Sequence, residues 1–185
     1  TFAPNIFMKE EISVTPYGSE AGKKAQVEQM FDRIAPRYDL LNRVLSLGID
    51  VWWRKRAIGY LKSAQPKEIL DVATGTADVA ILMAKILNPQ RIVGIDIANQ
   101  MLELGRVKIK DAGLETVISL ETGDSEQLRF ANDSFDAVTV AFGVRNFETL
   151  EKGLADMHRV LRSGGRVVIL EFSKPHIFPI KQLYN

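Results

Sequence analysis

The chain has 185 residues, a single-domain length, of which 46% are hydrophobic and 25% charged. Its net charge of +1, from 24 basic and 23 acidic side chains, leaves no electrostatic footprint for nucleic acid. It has no cysteine, which excludes disulfides, thiolate catalysis and thiolate metal sites and fits a reducing, cytoplasmic setting, and it contains no apolar run long enough to span a bilayer.

Residues 1–20 hold Pro4, Pro16 and Gly18 without a sustained period and read as a flexible tail. Thr1–Thr15 lacks the basic-then-apolar pattern of a secretory signal, and Met8 is a candidate native start. Residues 21–65 read as a helical extension. Val27, Met30, Phe31 and Ile34 fall at i, i+3, i+4 and i+7, predicting a helix from Lys24 that Pro36 interrupts. A short second helix is expected over Asp39–Leu45. A third is expected over Val51–Ser63, with Asp50 as its N-cap and Trp52, Trp53, Ala57 and Leu61 on its apolar side.

From Pro66 the pattern alternates. Strands are expected at Glu68–Ala73, Arg91–Ile97, Val117–Thr122, Ala137–Phe142 and Arg166–Phe172, and helices at Ala77–Leu87, Asn99–Ala112 and Thr149–Leu161. Turn residues separate them, among them Asn88-Pro89, Asn132-Asp133-Ser134 and Ser163-Gly164-Gly165. Strand–helix alternation predicts a doubly wound, mainly parallel α/β sheet over residues 66–185.

Such a sheet binds ligands beyond its C-terminal strand ends. The first strand runs into Thr74-Gly75-Thr76-Ala77-Asp78, where Gly75 allows a tight turn and the following helix start offers free N–H groups. The second and third glycines of a pyrophosphate loop are absent, and Asp71 and Asp78 would repel phosphates. The same charges tolerate a sulfonium, which favours S-adenosylmethionine over NAD or ATP. Asp96 ends the second strand 21 residues after Gly75, a position from which an acid accepts hydrogen bonds from ribose hydroxyls. Asp71 and Gly75 are candidate cofactor-binding residues with Asp96, and Asp71, inside an apolar strand, needs a partner there. Asp124 and Ser125 end the third strand and are candidate contacts of the adenine amine, although both residue types also favour turns.

In this order these segments resemble the class I S-adenosylmethionine-dependent methyltransferases. Tyr38-Asp39-Leu40-Leu41-Asn42, Leu45-Ser46-Leu47-Gly48 and Trp53-Arg54 resemble the N-terminal signature of the ubiquinone/menaquinone biosynthesis C-methyltransferases. Ala141-Phe142-Gly143-Val144-Arg145-Asn146 resembles that family's Phe-Gly-x-Arg-Asn segment. Arg159–Gly165 with Leu170–Pro175 resembles its second signature. The chain departs from the family pattern at Leu41, Asp50, Ala141 and Arg162-Ser163. The resemblance covers residues 24–185 and implies transfer of a methyl group to a ring carbon of a polyprenylated quinol. By position, Thr76, Asp96, Asp124 and Ser125 match the family's cofactor contacts.

Methyl transfer from a sulfonium needs alignment rather than a metal, and no metal cluster is evident. His158 reads as a surface residue and His176 as part of the terminal segment. Arg145 and Asn146 fall just past the fourth strand. Arg145 is expected to stabilise a developing phenolate and Asn146 to orient the hydroxyl, with a structural ion pair from Arg145 to Asp124 or Glu148 as the bland alternative. Tyr38 and Asn42 are expected to meet the quinol from a helical lid. A prenyl tail implies transient contact with a membrane surface. The family's fold implies two further strands, so the 166–172 edge is expected to pair with another chain or with the tail. Other readings stay open: a phenol O-methyltransferase or other class I enzyme, a non-enzymatic binding module, and an NAD enzyme.

Overall fold

Near-continuous apolar runs such as Val138–Phe142 are satisfied only in strands covered on both faces. The computed structural model, which describes residues 22–46 and 48–172, places them there. Five parallel strands form one sheet: β1 (Glu68–Val72), β2 (Arg91–Asp96), β3 (Ile118–Thr122), β4 (Phe135–Ala141) and β5 (Leu161–Leu170). Their order is β3-β2-β1-β4-β5, so the winding reverses between β1 and β4, and the cleft over their C-terminal ends is the switch point. The helices are α1 (Lys23–Leu45), α2 (Ile49–Gly59), α3 (Asp78–Leu87), α4 (Asn99–Asp111) and α5 (Leu150–Val160).

Alternate residues of each strand serve opposite layers. Ile69, Ile92 and Ala137 pack with Met83 of α3, Ile109 of α4 and Ile58 of α2. Leu70, Val93 and Val138 face the other way, onto Phe147 and onto Met157 and Val160 of α5. Each fully buried Leu, Ile or Met contributes roughly 1.5–3 kcal/mol.

Three expectations are corrected. Pro36 does not end the first helix: α1 continues through it to Leu45, absorbing the two short helices into one. Proline removes one N–H, but here it sits at an exposed position, and Phe31, Ile34, Ala35 and Tyr38 on both sides of it pack around Ala98 and Met101. Tertiary contacts on both flanks override the local break. Asp50 is not the cap of α2. Gly48 takes that position at φ 79°, and Asp50, inside the helix, accepts a 2.7 Å hydrogen bond from the Ser46 hydroxyl. Ser163-Gly164-Gly165 is a bulge within β5 rather than a turn before it: Phe135 and Ala137 of β4 face Leu161 and Arg166. A Cβ on Gly165 would lie 2.8 Å from the Asp136 carbonyl oxygen, so only glycine fits.

Among the described residues β5 pairs with β4 alone, and Val167 and Ile169 are 38% and 46% exposed. The expected tail over residues 1–20, the candidate start Met8, the Ser173–Pro175 part of the second signature, and His176 lie outside the described residues.

Candidate active site

The cleft floor is the Ala73–Ala77 loop between β1 and α3. Gly75 (φ 56°) is joined in the left-handed region by Ala73 (φ 53°) and Ala77 (φ 62°). Each alanine there costs about 1 kcal/mol or more, so the surroundings must hold the loop. The Thr74 N–H donates to the Ile95 carbonyl (2.9 Å), the Ala77 N–H to the Thr74 carbonyl (3.0 Å), and the Gly75 N–H to Asp96 Oδ2 (2.8 Å). Below the loop, Asp71 is buried and accepts the hydroxyls of Thr74 (2.7 Å) and Thr139. These bonds answer the need for a partner. Burial pushes the Asp71 carboxyl up to about 6, against the pull of the two threonines.

Asp96 lies at the C-terminal end of β2, on the cleft wall. Its Oδ1 accepts from the Ala98 N–H at 2.9 Å, and its Oδ2 holds Gly75. Burial raises this carboxyl; the N–H groups of Ala98, Gly75 and Ile97 oppose the shift. With about four acceptor sites on a carboxylate, both oxygens keep capacity for hydroxyl donors. Asp124 and Ser125 line the cleft after β3. Asp124 Oδ1 accepts from the Glu126 N–H (2.9 Å), while Oδ2 is 2.5 Å from Lys24 Nζ of α1. Burial would lower the Lys24 ammonium, but the bond and charge of Asp124 outweigh it and hold it above its ordinary value.

α1 crosses the cleft, contributing Lys24, Val27, Phe31 and Tyr38 to its lining. Tyr38 meets Phe31 edge to face, ring centres 5.9 Å apart. Lys23 Nζ donates to the Phe147 carbonyl at 2.6 Å. Asn42 lies one turn beyond Tyr38 on α1; its side chain is outside the described residues.

Thr76 is 2% exposed and its hydroxyl donates to Asp39 of α1 at 2.7 Å. Lys108 of α4 donates to Asp39 (2.9 Å) and to Thr76 (3.1 Å) and pairs with Asp78. Arg54 of α2 reaches Asp78 at 2.7 Å and Asp50 at 3.5 Å. Four helices are thereby tied at the loop. Burial would raise the Asp78 carboxyl; the Lys108 hydrogen bond and the charges of Lys108 and Arg54 overcome it and hold Asp78 below the usual carboxylate range. Arg54 Nε is buried with no hydrogen-bond partner among the described residues.

Arg145 and Asn146 lie on a single 3₁₀ turn after β4. Asn146 lines the cleft. The Arg145 side chain is 48% exposed and pairs with Glu171 Oε1 at 2.7 Å, its guanidinium 5.4 Å over the Phe172 ring. Its ion-pair partner is thus Glu171, not Asp124 or Glu148. Among the described residues no group of three or more His, Asp or Glu could hold a metal, and His158 is exposed on α5.

The charges facing the cleft are Lys24 against Asp96, Asp124 and Glu126. That acidic excess suits a cationic nucleoside and disfavours a pyrophosphate, so the residues present fit S-adenosylmethionine. Sequence reading missed Lys24, Phe31, Met101 and Phe142 in the lining. The α1 members had a signal: the period of Val27, Phe31 and Ile34 extends back to Lys24 and forward to Tyr38.

The family model described as the ubiE/COQ5 methyltransferase family matches residues 19–185. A demethylmenaquinone methyltransferase of Bacteroides fragilis is 53% identical over 172 residues, covering 93% of this chain and 70% of that protein. The ubiquinone/menaquinone biosynthesis C-methyltransferase UbiE of Geotalea daltonii is 48% identical, over 90% of this chain and 71% of that one. Among solved structures, the cyclase SpnF superposes with a TM-score of 0.70 at 21% identity, over 85% of this chain and 64% of that one. A methyltransferase of Aquifex aeolicus superposes with a TM-score of 0.55 at 18% identity, over 60% of each chain. The two structures speak for the fold alone, and the cyclase marks how little the fold says about chemistry. The family match and the sequence relatives carry the rest: the chain belongs to the ubiE/COQ5 methyltransferase family and is an S-adenosylmethionine-dependent methyltransferase.

Proposed function

We propose that this enzyme methylates a ring carbon of a polyprenylated quinol, with demethylmenaquinol the first candidate acceptor and the equivalent benzoquinol the second. The C-methyltransferase relatives supply the reaction class. The observation that carries the assignment of the cleft is the Gly75 loop pinned to Asp96, with acidic excess around it.

Asp96 would hold the ribose hydroxyls, and Asp124 with Ser125 the adenine; Gly75, Tyr38 and Asn146 would border the sulfonium. When bound, S-adenosylmethionine would supply an activated methyl group, with a neutral thioether as leaving group; the deprotonated quinol would attack through its ring carbon, the ring proton would pass to solvent and the hydroxyl would be reprotonated, a net release of one proton. Arg145, held by Glu171, stabilises the phenolate as a permanent cation, while Asn146 orients the hydroxyl. Asp71 and Thr76 act from beneath and beside the loop, through Thr74 and Asp39. Tyr38 and Asn42 belong to a lid formed by α1. The cleft holds about 70 Å³, below the roughly 300–1,000 Å³ of small-molecule sites, and α1 is the element that would move aside to admit the nucleoside.

Two further readings go with this. The enzyme visits the membrane surface to collect its acceptor, and no described helix is long and apolar enough to cross a membrane. The exposed β5 edge pairs with a second copy, and light scattering reads that mass directly.

The test of function is methyl transfer from labelled S-adenosylmethionine to short-chain demethylmenaquinol and benzoquinol, followed by mass spectrometry. A methyl on ring carbon supports the reading, and a methyl on oxygen contradicts it. Arg145→Ala is expected to lower kcat ten- to a hundredfold with cofactor affinity unchanged; full turnover would remove Arg145 from the chemistry.

A further inference from the structure

Among the described residues, α1 lines the cleft as far as Tyr38. Its last turns carry Leu40, Leu41 and Val44, which are 66%, 44% and 59% exposed, and across the Ser46–Gly48 corner α2 opens with Ile49 at 46% and Trp52 at 61%. Isolated exposed apolar residues are ordinary; five large ones around a single corner are not. They are also aligned. Arg37, Leu40, Leu41 and Val44 fall at i, i+3, i+4 and i+7 on α1, and Ile49, Trp52 and Arg56 at i, i+3 and i+7 on α2.

The charges of the same segment are sorted. Asp39 is taken by Lys108 and Thr76, and Asp50 by Arg54 and Ser46. What is left outward is basic: Arg37, Lys55 and Arg56 are exposed, with no ion pair among the described residues. An apolar corner rimmed by free cations, with its acids turned to internal pairs, is complementary to an anionic lipid surface and to little in bulk water.

We propose that the α1–α2 corner docks on an anionic phospholipid bilayer. Leu40, Val44 and Trp52 enter the boundary between headgroups and acyl chains, and Arg37, Lys55 and Arg56 lie among the headgroups. The inference rests on the reading that the acceptor is polyprenylated, and it names the surface through which that acceptor is met. Leu41 follows cleft-lining Tyr38 by three residues on the same helix, so a docked corner sets the cleft mouth at the bilayer.

Vesicle flotation without substrate tests the docking apart from the chemistry. The protein is expected to float with phosphatidylglycerol-containing vesicles and far less with phosphatidylcholine alone. Leu40→Glu with Trp52→Glu is expected to weaken partition at least tenfold. Lys55→Glu with Arg56→Glu is expected to abolish the preference for phosphatidylglycerol. In a Trp53→Phe background, Trp52 emission is expected to shift to the blue on those vesicles. Both double variants are expected to keep cofactor affinity and methyl transfer to a short-chain quinol, which separates a failed docking surface from a failed acceptor assignment and from misfolding. No partition into either vesicle, or equal partition of wild type and variants, would overturn the proposal. So would a two-chain mass in solution that Leu40→Glu with Trp52→Glu returns to one chain, which would make the corner a protein interface.

Discussion

The floor of the cleft and its cover are built on different principles. The floor, Ala73–Ala77 with Asp96, is held by short-range bonds among adjacent strand ends, most of them to backbone groups. The cover, α1 and α2, is joined to it through side chains far apart in sequence: Lys24 to Asp124, Asp39 to Thr76 and Lys108, Arg54 to Asp78. Backbone bonds in a parallel sheet are fixed once the strands pair. The Lys24–Asp124 and Lys108–Asp39 pairs, about a third exposed, exchange with water at modest cost, while Arg54–Asp78 is largely buried and costs more to break. The difference teaches that, if the cleft is the proposed nucleoside site, its floor is preformed while access past α1 is adjustable.

The largest expected effect is on the floor. Asp96→Ala removes the Gly75 and Ala98 acceptors together with the proposed ribose contact. S-adenosylhomocysteine affinity is expected to fall at least a hundredfold, about 3 kcal/mol, by calorimetry. Unchanged affinity would break the picture of a floor-built site.

Next comes Asp71. Its carboxyl is raised in the folded state to about 6 from 3.8, so between those values the folded chain holds a proton that the unfolded chain has released. Stability therefore falls as pH rises from about 4 to about 6 and stays lower above, a cost on the order of 3 kcal/mol. Asp71→Asn is expected to flatten that part of the denaturant-midpoint profile. Asp78 has the opposite sign. Held below the usual range, it stabilises the fold above its unfolded value and loses that contribution as pH falls through its lowered one.

On the cover, Arg54→Ala leaves Asp78 with Lys108 alone and is expected to cost about 2 kcal/mol of stability by denaturant unfolding. The change should appear as a raised KM for cofactor with little change in kcat. The smallest effect is expected from Lys24→Ala. It frees Asp124 for the proposed adenine contact, so S-adenosylhomocysteine is expected to associate a few-fold faster in stopped flow. A slower association would mean that Lys24 recruits the ligand rather than guarding Asp124.

The same contrast explains what was legible in the sequence. Strand runs, turn residues and the Gly75–Asp96 spacing are local signals, and they placed β1 to β4 and α3 to α5 within about two residues and brought Asp96 to Gly75. Pro36 misled because its local penalty was weighed without the contacts around Ala98 and Met101. The Lys24–Asp124 bridge joins residues 100 apart, and no pattern along the chain announces it. Arg145 was correctly set just past β4, though Asn146 and not Arg145 lines the cleft, and its partner Glu171 became visible only once β4 and β5 were paired. Asp71 was right as an acid in need of a partner; its threonines, one in the loop and one on β4, belong to the fold.

Hydrogen exchange with and without S-adenosylhomocysteine tests the contrast most directly. The predicted result is that β1 and β2 amides are protected in both states, while the amides of α1, Lys23–Leu45, exchange quickly in the free enzyme and become protected on binding. Equal protection of α1 in both states would contradict a preformed floor beneath a movable cover.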